Sequence, residues 1–340
     1  MTDTLPTDAD REELDLLLHG FKISRILRLV ADLRVADKIP IDNQVTVKDL
    51  AATCAVLPEP LLRVLRALAA VQIFQLTPDG RVAHTPRSRL LRTDTQNSLH
   101  HAARFWTGPG SWGAWAKLDV AMTGGTPHEA AWNMGRYEYL RQHPDEARVF
   151  DEMMANYPDN RHAAIAAAYN FSAAGLIVDV GGGNGAALRH ILTRFPRPRG
   201  LVLDLEDVVG AIKPEDRMEG RIAVQGGNFL DRVPSGADLY MLIRVVHNWS
   251  DEDCGRILQT CHAAMAPHAR LLIGEEILEP DPARGRPTSY LIDLQMMAMF
   301  GRARARTEAE FRDLLEQSGF SLRQVIPTVS AVSIIEAGPI

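Results

Sequence analysis

The sequence predicts an α/β fold in which a doubly wound sheet follows an N-terminal α-helical, winged-helix-like domain. The first 95 residues carry short helical patterns and one hairpin pattern. From Leu176 onward, apolar runs rich in β-branched residues alternate with helical stretches, and a glycine-rich loop follows the first of these runs. Nearly continuous apolar strands joined by helices are typical of a parallel sheet covered on both faces.

The chain length of 340 residues predicts more than one domain. We expect three regions, which are a winged-helix-like dimerisation domain (1–95), a helical connector with pocket residues (96–172) and a cofactor-binding catalytic domain (173–340). The connector pattern is broken by glycine and proline, and contains four of the five tryptophans.

Composition and charge argue against several classes of protein. The net charge of −6 disfavours nucleic acid as a partner, because phosphate binding requires a basic face. We expect no membrane span, since no apolar run reaches about 18 residues, and the acidic N-terminus does not resemble a signal peptide. The three cysteines have no metal-ligand spacing, so we expect no metal site and a reducing, cytoplasmic setting.

The first 95 residues contain three predicted helices, at 19–36, 45–53 and 61–71, with Thr46 as the N-cap of the second. A Pro-Asp-Gly turn at residues 78–80 lies between two apolar runs and predicts a hairpin. Three helices and a hairpin form a winged-helix arrangement. Because no basic stripe accompanies it, we expect this domain to pack against a second copy, giving a homodimer.

Five apolar runs after residue 175 predict the strands of the sheet, at 176–180, 201–205, 221–226, 237–246 and 270–276. Residues 321–337 predict two further strands with a turn at Pro327, which we expect to pair antiparallel at one edge.

The first predicted strand leads into the loop Gly181-Gly182-Gly183-Asn184-Gly185. Glycines let the backbone turn tightly and approach a ligand closely. Asp204 ends the second strand, where a carboxylate can accept hydrogen bonds from ribose hydroxyls, so we expect a nucleoside here. The loop also fits the loose dinucleotide pattern. Asp179 favours S-adenosylmethionine, because its carboxylate precedes the loop and could bind a methionine amino group.

His247 and Glu275 are the candidate catalytic pair. The fourth predicted strand ends at His247 and the fifth ends at Glu275, and in such sheets these strands are neighbours with their carboxyl ends at the ligand edge. A histidine beside a carboxylate is a suitable general base with a fixed tautomer.

Six short strings follow one another along the second half of the chain: VDVGGGNG, DLEDVV, GNF, VVHNWSDEDC, GEEILEP and RTEAEF. In this order they resemble the S-adenosylmethionine-dependent small-molecule O-methyltransferases, a family of plant caffeate and flavonoid enzymes, acetylserotonin enzymes and bacterial polyketide and pigment enzymes. The strings LRVADKI, VKDLA, LLRVLRALAAVQIF and DGRVAHTPRSRLLR resemble the dimerisation domain of that family. The resemblance implies a Rossmann-like methyltransferase sheet and a small hydroxylated acceptor.

The resemblance also assigns site residues. The implied cofactor contacts are Asp179, Gly181, Gly183, Asp204, Gly227, Asn228, Phe229 and Arg244. The implied catalytic residues are His247 as base and Glu275 as its orienting carboxylate. The implied acceptor contacts are Phe150, Met154, Asn248, Met296 and Phe300.

Three positions depart from the family pattern. Asn228 stands where many members have Asp, and Ile243 where plant members have Lys, with Arg244 beside it. Ala305 stands where many members have a second Glu next to the histidine. His247 would therefore have one supporting carboxylate instead of two. Either the acceptor hydroxyl is acidic enough to lose its proton with one carboxylate, or another group takes the place of the second glutamate.

Three alternatives remain open at this point: a family member with non-methylating chemistry, a winged-helix regulator that senses a nucleoside, and an NAD enzyme. DNA binding followed against salt concentration and thermal stabilisation by each cofactor would separate them.

Overall fold

The computed structural model describes residues 5–156 and 160–340. Compact packing divides the chain into two units. Unit 1 comprises residues 1–113 and 137–158, and unit 2 comprises residues 114–136 and 159–340. The region expected as a connector, residues 96–172, is therefore shared between the two units, because some of its helices pack on the N-terminal helices and others on the helices around the sheet.

The elements up to residue 156 are α1 Asp8–Leu18, α2 Gly20–Asp32, β1 Val45–Thr46, α3 Val47–Cys54, α4 Pro58–Ala70, β2 Phe74–Leu76, β3 Arg81–His84, α5 Pro86–Arg89, α6 His100–Trp106, α7 Pro109–Trp115, α8 Pro127–Trp132, α9 Arg136–Gln142 and α10 Pro144–Asn156. The 3₁₀ helices Ala36–Lys38 and Leu118–Thr123 lie between them.

The elements from residue 160 onward are α11 Arg161–Ala168, β4 Leu176–Val180, α12 Ala186–Arg194, β5 Arg199–Asp204, α13 Glu206–Gly210, β6 Ile222–Gly226, β7 Leu239–Ile243, α14 Asp251–Ala264, β8 Arg270–Glu275, β9 Ile277–Leu278, α15 Pro287–Phe300, β10 Arg306–Thr307, α16 Glu308–Gln317, β11 Phe320–Pro327 and β12 Ser333–Pro339. Short 3₁₀ helices span Phe171–Ala173, Pro214–Arg217 and Val246–Asn248.

Unit 1 is a helical unit with a small antiparallel sheet. The predicted helices and hairpin are present, and the Thr46 side chain accepts a hydrogen bond from Asp49 N at the start of α3, as an N-cap does. Strand β3 pairs antiparallel with β1 and β2. Helix α1 was not predicted. It begins with a capping box between Thr7 and Asp10, and none of its residues is buried.

Unit 2 contains a seven-stranded sheet in the order β11-β12-β8-β7-β4-β5-β6. Strands β4 to β8 pair in parallel, whereas β12 is antiparallel to β8 and to β11. One face of the sheet packs in a core with α14 and α16, and the other packs in a core with α11 and α12. This arrangement confirms the doubly wound sheet and its antiparallel closing pair.

The fourth predicted strand is shorter than expected. Strand β7 ends at Ile243, and His247 lies in the 3₁₀ helix that follows. Arg244 adopts a left-handed backbone conformation, with φ of 58°, which turns the chain out of the sheet. Val245 and Val246 are apolar because they are buried in the core beside the sheet, and an apolar run alone does not distinguish this placement from a longer strand.

Within the described residues, no helix combines the length and the hydropathy that crossing a membrane requires.

Candidate active site

The glycine loop joins the end of β4 to the start of α12. Gly181, Gly183 and Gly185 all have positive φ angles, of 72°, 55° and 76°, a conformation that side chains disfavour. A Cβ atom at Gly181 would also lie 2.9 Å from Cγ2 of Val245, so the close approach of the loop to the chain after β7 requires glycine. The loop thereby presents backbone rather than side chains at this edge of the sheet.

Asp204 lies next to this loop at the end of β5. Its Oδ2 accepts a hydrogen bond from Gly183 N at 2.8 Å, and its Oδ1 accepts one from Leu205 N at 2.8 Å. These two bonds fix the carboxylate. Since a carboxylate has about four acceptor positions, each oxygen retains capacity for a further donor, as a pair of ribose hydroxyls would require.

Asp179 is buried at the end of β4, with only 1% of its surface exposed. Neither of its oxygens has a hydrogen-bond partner within residues 5–156 and 160–340. Burial, with a smaller contribution from Asp204, raises the pKa of Asp179 to about 7. A buried carboxyl group without a donor is costly, so this residue fits the ammonium group of a bound ligand.

The end of β6 completes this side of the site. The Gly227 N–H donates to the backbone carbonyl of Asp204 at 2.9 Å, which holds the chain after β6 against the end of β5. The Phe229 ring packs edge-on against Trp249, with ring centroids 5.8 Å apart. The exposed Asn228 uses its Oδ1 to accept the Leu230 N–H at 3.1 Å.

His247 and Glu275 form a buried hydrogen-bonded pair. His247 Nδ1 lies 3.0 Å from Oε1 and 2.9 Å from Oε2 of Glu275, and the His247 backbone N–H donates to Oε1 at 3.2 Å. Because Nδ1 carries the hydrogen that it shares with the carboxylate, Nε2 keeps its lone pair. The predicted pair is thus brought together at the ends of two neighbouring strands, with Glu275 at the end of β8 and His247 in the turn after β7, and the carboxylate orients the imidazole.

Arg244 binds the carboxylate of the His247–Glu275 pair, so that the three residues form one cluster. Its Nη1 donates to Glu275 Oε2 at 3.1 Å. Burial lowers the pKa of His247, and so do Arg244 and Arg161, while Glu275 opposes them. Burial alone would raise the pKa of Glu275, but the contacts with His247 and Arg244 outweigh it and lower that pKa. At neutral pH the resting cluster therefore holds a neutral imidazole and an ionised carboxylate.

The predicted acceptor residues lie on three elements. The Asn248 side chain donates to Arg244 O at 3.3 Å, within its own turn. Met296 and Phe300 lie on α15 of unit 2, where Phe300 packs beside Ala114 and Met299. Two further predicted residues lie on α10 of unit 1, namely Phe150, whose ring centroid lies 5.7 Å from that of Phe105, and Met154, which is about half exposed.

Two features of the site escaped the sequence analysis. The Trp115 Nε1–H donates to Oε1 of the buried Gln295 on α15, at 2.5 Å. Arg306 is buried and bonds to the turn that carries His247. The second feature was partly visible, since the Arg306-Thr307 pair belongs to one of the family strings, but its partners are distant in sequence.

Comparison with known families decides between the alternatives. Residues 115–321 match the model of the O-methyltransferase domain, and residues 16–94 match that of the O-methyltransferase dimerisation domain. The chain belongs to the O-methyltransferase family. This assignment confirms the resemblance, and it accounts for the presence of the glycine loop and the buried His247–Glu275 pair in one protein.

Several relatives are similar over nearly their whole length. The phenazine O-methyltransferase PhzM of Lysobacter antibioticus is 34% identical over 95% of each chain. The crystal structure of the mitomycin 7-O-methyltransferase MmcR superposes with a TM-score of 0.89 at 29% identity, covering 98% of each chain. The neocarzinostatin-pathway O-methyltransferase NcsB1, solved with S-adenosylmethionine and 2-hydroxy-5-methyl naphthoic acid, superposes with a TM-score of 0.79 at 29% identity, covering 94% of this chain and 96% of that one.

The family uses S-adenosylmethionine as its methyl donor, so the cofactor prediction is confirmed. The residues present fit this molecule. The unpartnered carboxyl group of Asp179 suits its ammonium group, and the fixed carboxylate of Asp204 suits its ribose.

Proposed function

We propose that this chain methylates a hydroxyl group of a small aromatic or polyketide-like metabolite, with His247 as the general base. The observation that carries the proposal is the buried His247–Glu275 pair, at 2.9 Å, on the same sheet edge as the glycine loop. The relatives support the acceptor class, since phenazine, mitomycin and naphthoic acid compounds are all small ring systems.

The cofactor side of the reaction belongs to the ends of β4, β5 and β6. Asp179 would hold the ammonium group, Asp204 the ribose hydroxyls, and Asn228 with Phe229 the adenine. When bound, S-adenosylmethionine supplies an electrophilic methyl group on its sulfonium sulfur. Gly181 and Gly183 keep the loop backbone free of side chains, so that the cofactor can lie close to the sheet edge.

His247 would remove the proton of the acceptor hydroxyl as the oxygen attacks. A phenol with a pKa near 10 is a poor nucleophile while it is protonated. Because burial and Arg244 lower the pKa of His247, the imidazole is neutral at pH 7 and its Nε2 can accept the proton. Glu275 then lies beside the imidazolium and stabilises its charge. We expect the enzyme to contribute mainly alignment and this proton transfer.

The acceptor contacts proposed are Phe150, Met154, Asn248, Met296 and Phe300. The aromatic and thioether side chains among them suit a flat aromatic ring, and the amide of Asn248 suits a polar group of the acceptor.

Unit 1 is proposed to be a winged-helix-like module that forms a homodimer. The match to the dimerisation domain supports this, and so does α1, which exposes Leu14, Leu17 and Leu18 together with the neighbouring Phe21. Exposed apolar surface of this extent is typical of an interface. The three cysteines are unpaired, which supports the proposed cytoplasmic setting.

The test is a transfer assay with a labelled methyl group against hydroxylated phenazines, naphthoates, quinones and polyketides. We expect transfer to at least one class, and we expect His247→Ala to lose roughly 10²- to 10⁴-fold in rate while it still binds S-adenosylhomocysteine. His268→Ala is the matched control, because His268 is largely exposed on the surface. A His247→Ala variant that turns over at nearly the wild-type rate would show that the base is elsewhere.

A further inference from the structure

Arg306 is the largest of the almost fully buried side chains in the described residues, with 1% of its surface exposed. Its Nε and Nη2 both donate to Asp251 Oδ1, at 2.8 and 2.6 Å. Nη1 also donates to Val246 O at 3.1 Å and to Arg304 O at 3.0 Å, and Nη2 donates to Trp249 O at 3.1 Å and to Cys254 Sγ at 3.4 Å. The guanidinium group is thus satisfied on all sides.

The positions of these carbonyls matter for the base. Val246 O and Trp249 O lie on the two sides of His247 along the chain, one residue before it and two residues after it. One planar group therefore spans the short turn that presents the imidazole. A lysine could not reproduce this, because a guanidinium has five N–H donors in a fixed plane and an ammonium has three on a flexible stem.

Arg306 is also tied to the strand that leads away from Glu275. It lies in β10, which pairs in parallel with β9, and its register partner is Ile277, two residues after Glu275. The backbone of Arg306 is thus fixed beside the segment that follows Glu275, and its side chain is bonded to the turn that carries His247. It connects the two segments whose mutual position sets the 2.9 Å contact between Nδ1 and Oε2.

The same segment is anchored to α15 and α16. Asp293 of α15 accepts the Ala305 N–H at 2.6 Å. On the other side, Thr307 and Glu310 form a capping box that begins α16. The segment from Ala305 to Thr307 is therefore held at both ends. Because the Arg306 guanidinium group extends from this fixed segment, its hydrogen bonds hold the turn of His247 in place.

Stability alone does not explain this arrangement well. Removing a buried ion from water costs several kcal/mol, and well-packed apolar side chains commonly stabilise a protein as much or more. The arginine instead fixes the orientation of the turn, because its bonds hold the carbonyl groups of Val246 and Trp249 in place. We propose that Arg306 is a positioning residue that holds His247 against Glu275 and toward the acceptor, an inference that rests on the proposed role of His247 as base.

The test compares Arg306→Ala and Arg306→Lys with the control Arg304→Ala. Arg304 is half exposed and contacts the same Asp251, at 3.4 Å, but its side chain reaches neither carbonyl. We expect both Arg306 variants to bind S-adenosylhomocysteine and to retain their acceptor KM, whereas kcat falls, by up to roughly 10²-fold in Arg306→Ala, because misplacing a reacting group by about 1 Å has that cost. Added guanidinium ion should restore part of the kcat of Arg306→Ala. Arg304→Ala should keep the wild-type kcat.

A second measurement needs no acceptor, and so separates this inference from the proposed function. The imidazole of His247 is titrated by NMR in histidine-labelled enzyme, with its signal assigned by its loss in His247→Gln. The groups that face it are Glu275 from β8, Arg244 at the end of β7 and Arg161 from α11. A loosened turn admits water, so the pKa of His247 should rise toward its ordinary value in the Arg306 variants and stay unchanged in Arg304→Ala.

Arg306→Lys retains the charge and is the variant to use if Arg306→Ala does not fold. If Arg306→Lys matched the wild type in both kcat and the His247 titration, Arg306 would be a structural residue only. The same conclusion would follow if guanidinium restored thermal stability to Arg306→Ala and left its kcat unchanged. If no acceptor were methylated by the wild type while the His247 titration shifted as expected, the proposed function would fail and the positioning role would stand.

Discussion

Cofactor affinity should depend on pH through Asp179. In the free enzyme, burial and Asp204 raise the pKa of this carboxyl group from 3.8 to about 7. If Asp179 receives the ammonium group of the cofactor, the bound state requires its ionised form. Affinity is then complete above pH 7 and falls about tenfold for each pH unit below it, which gives a loss of roughly 100-fold between pH 8 and pH 5.

The assay is calorimetric titration of S-adenosylhomocysteine, which carries the same ammonium group, at several pH values and in buffers of different ionisation enthalpy. Near pH 6, binding should release close to one proton, because most of the free enzyme is protonated at Asp179. Asp179→Asn should bind more weakly at pH 8 and should lose the pH dependence. An affinity that is constant from pH 5 to pH 8 in the wild type, or an unchanged pH dependence in Asp179→Asn, would refute the reasoning.

The same carboxyl group should lower the stability of the enzyme without cofactor. A folded-state pKa above the unfolded value stabilises the fold at low pH, and this contribution is lost as the pH rises from about 4 to about 7. The rise of the Asp179 pKa from 3.8 to about 7 corresponds to a loss of about 4 kcal/mol in the free energy of unfolding across this pH range. Asp179→Asn should therefore have a higher Tm than the wild type at pH 8 without cofactor, and the difference should shrink at pH 5.

Three other predictions concern single positions. Asp204→Ala should weaken S-adenosylhomocysteine binding by about 1.5–3 kcal/mol for each hydrogen bond lost, and unchanged affinity by calorimetry would remove Asp204 from the site. Ala305→Glu should raise the pKa of His247 and shift the pH profile of the rate to higher pH if its side chain faces the imidazole; an unshifted profile with a raised KM would indicate that it blocks the acceptor instead. Glutamates at Leu17 and Phe21 together should yield monomers by sedimentation, and an unchanged dimer would place the interface elsewhere.

Much of the sheet and of the cofactor side could be predicted from the sequence because their signals are local. The run at residues 176–180 predicted β4 with its observed bounds, and three of the four glycines of the following loop adopt positive φ angles, which glycine favours. His247 and Glu275 meet as predicted because β7 and β8 are neighbours in the sheet. The prediction holds although β7 ends at Ile243, four residues earlier than expected, because His247 follows shortly after it.

The remaining features depend on contacts between distant segments. Val245 and Val246 continue the apolar run of β7, so the left-handed turn at Arg244 leaves no mark in the local pattern. An arginine is rarely buried unless it is paired. The sequence around Arg306 does not indicate that the carbonyl groups of Val246 and Trp249, about 60 residues earlier, accept its hydrogen bonds. Helix α1 was missed because its acidic, largely exposed sequence lacks a buried face.

The division of the chain into interleaved units has a consequence for biosynthesis. All segments of unit 1 lie before residue 159, whereas unit 2 combines residues 114–136 with the C-terminal half of the chain. During translation, domains complete their packing as their segments leave the ribosome. Unit 1 can therefore finish folding while most of the sheet is still unsynthesised, and the segment 114–136 must wait for its partners. If unit 1 forms the proposed homodimer, pairing of two copies can begin on nascent chains, before either copy is able to bind its cofactor.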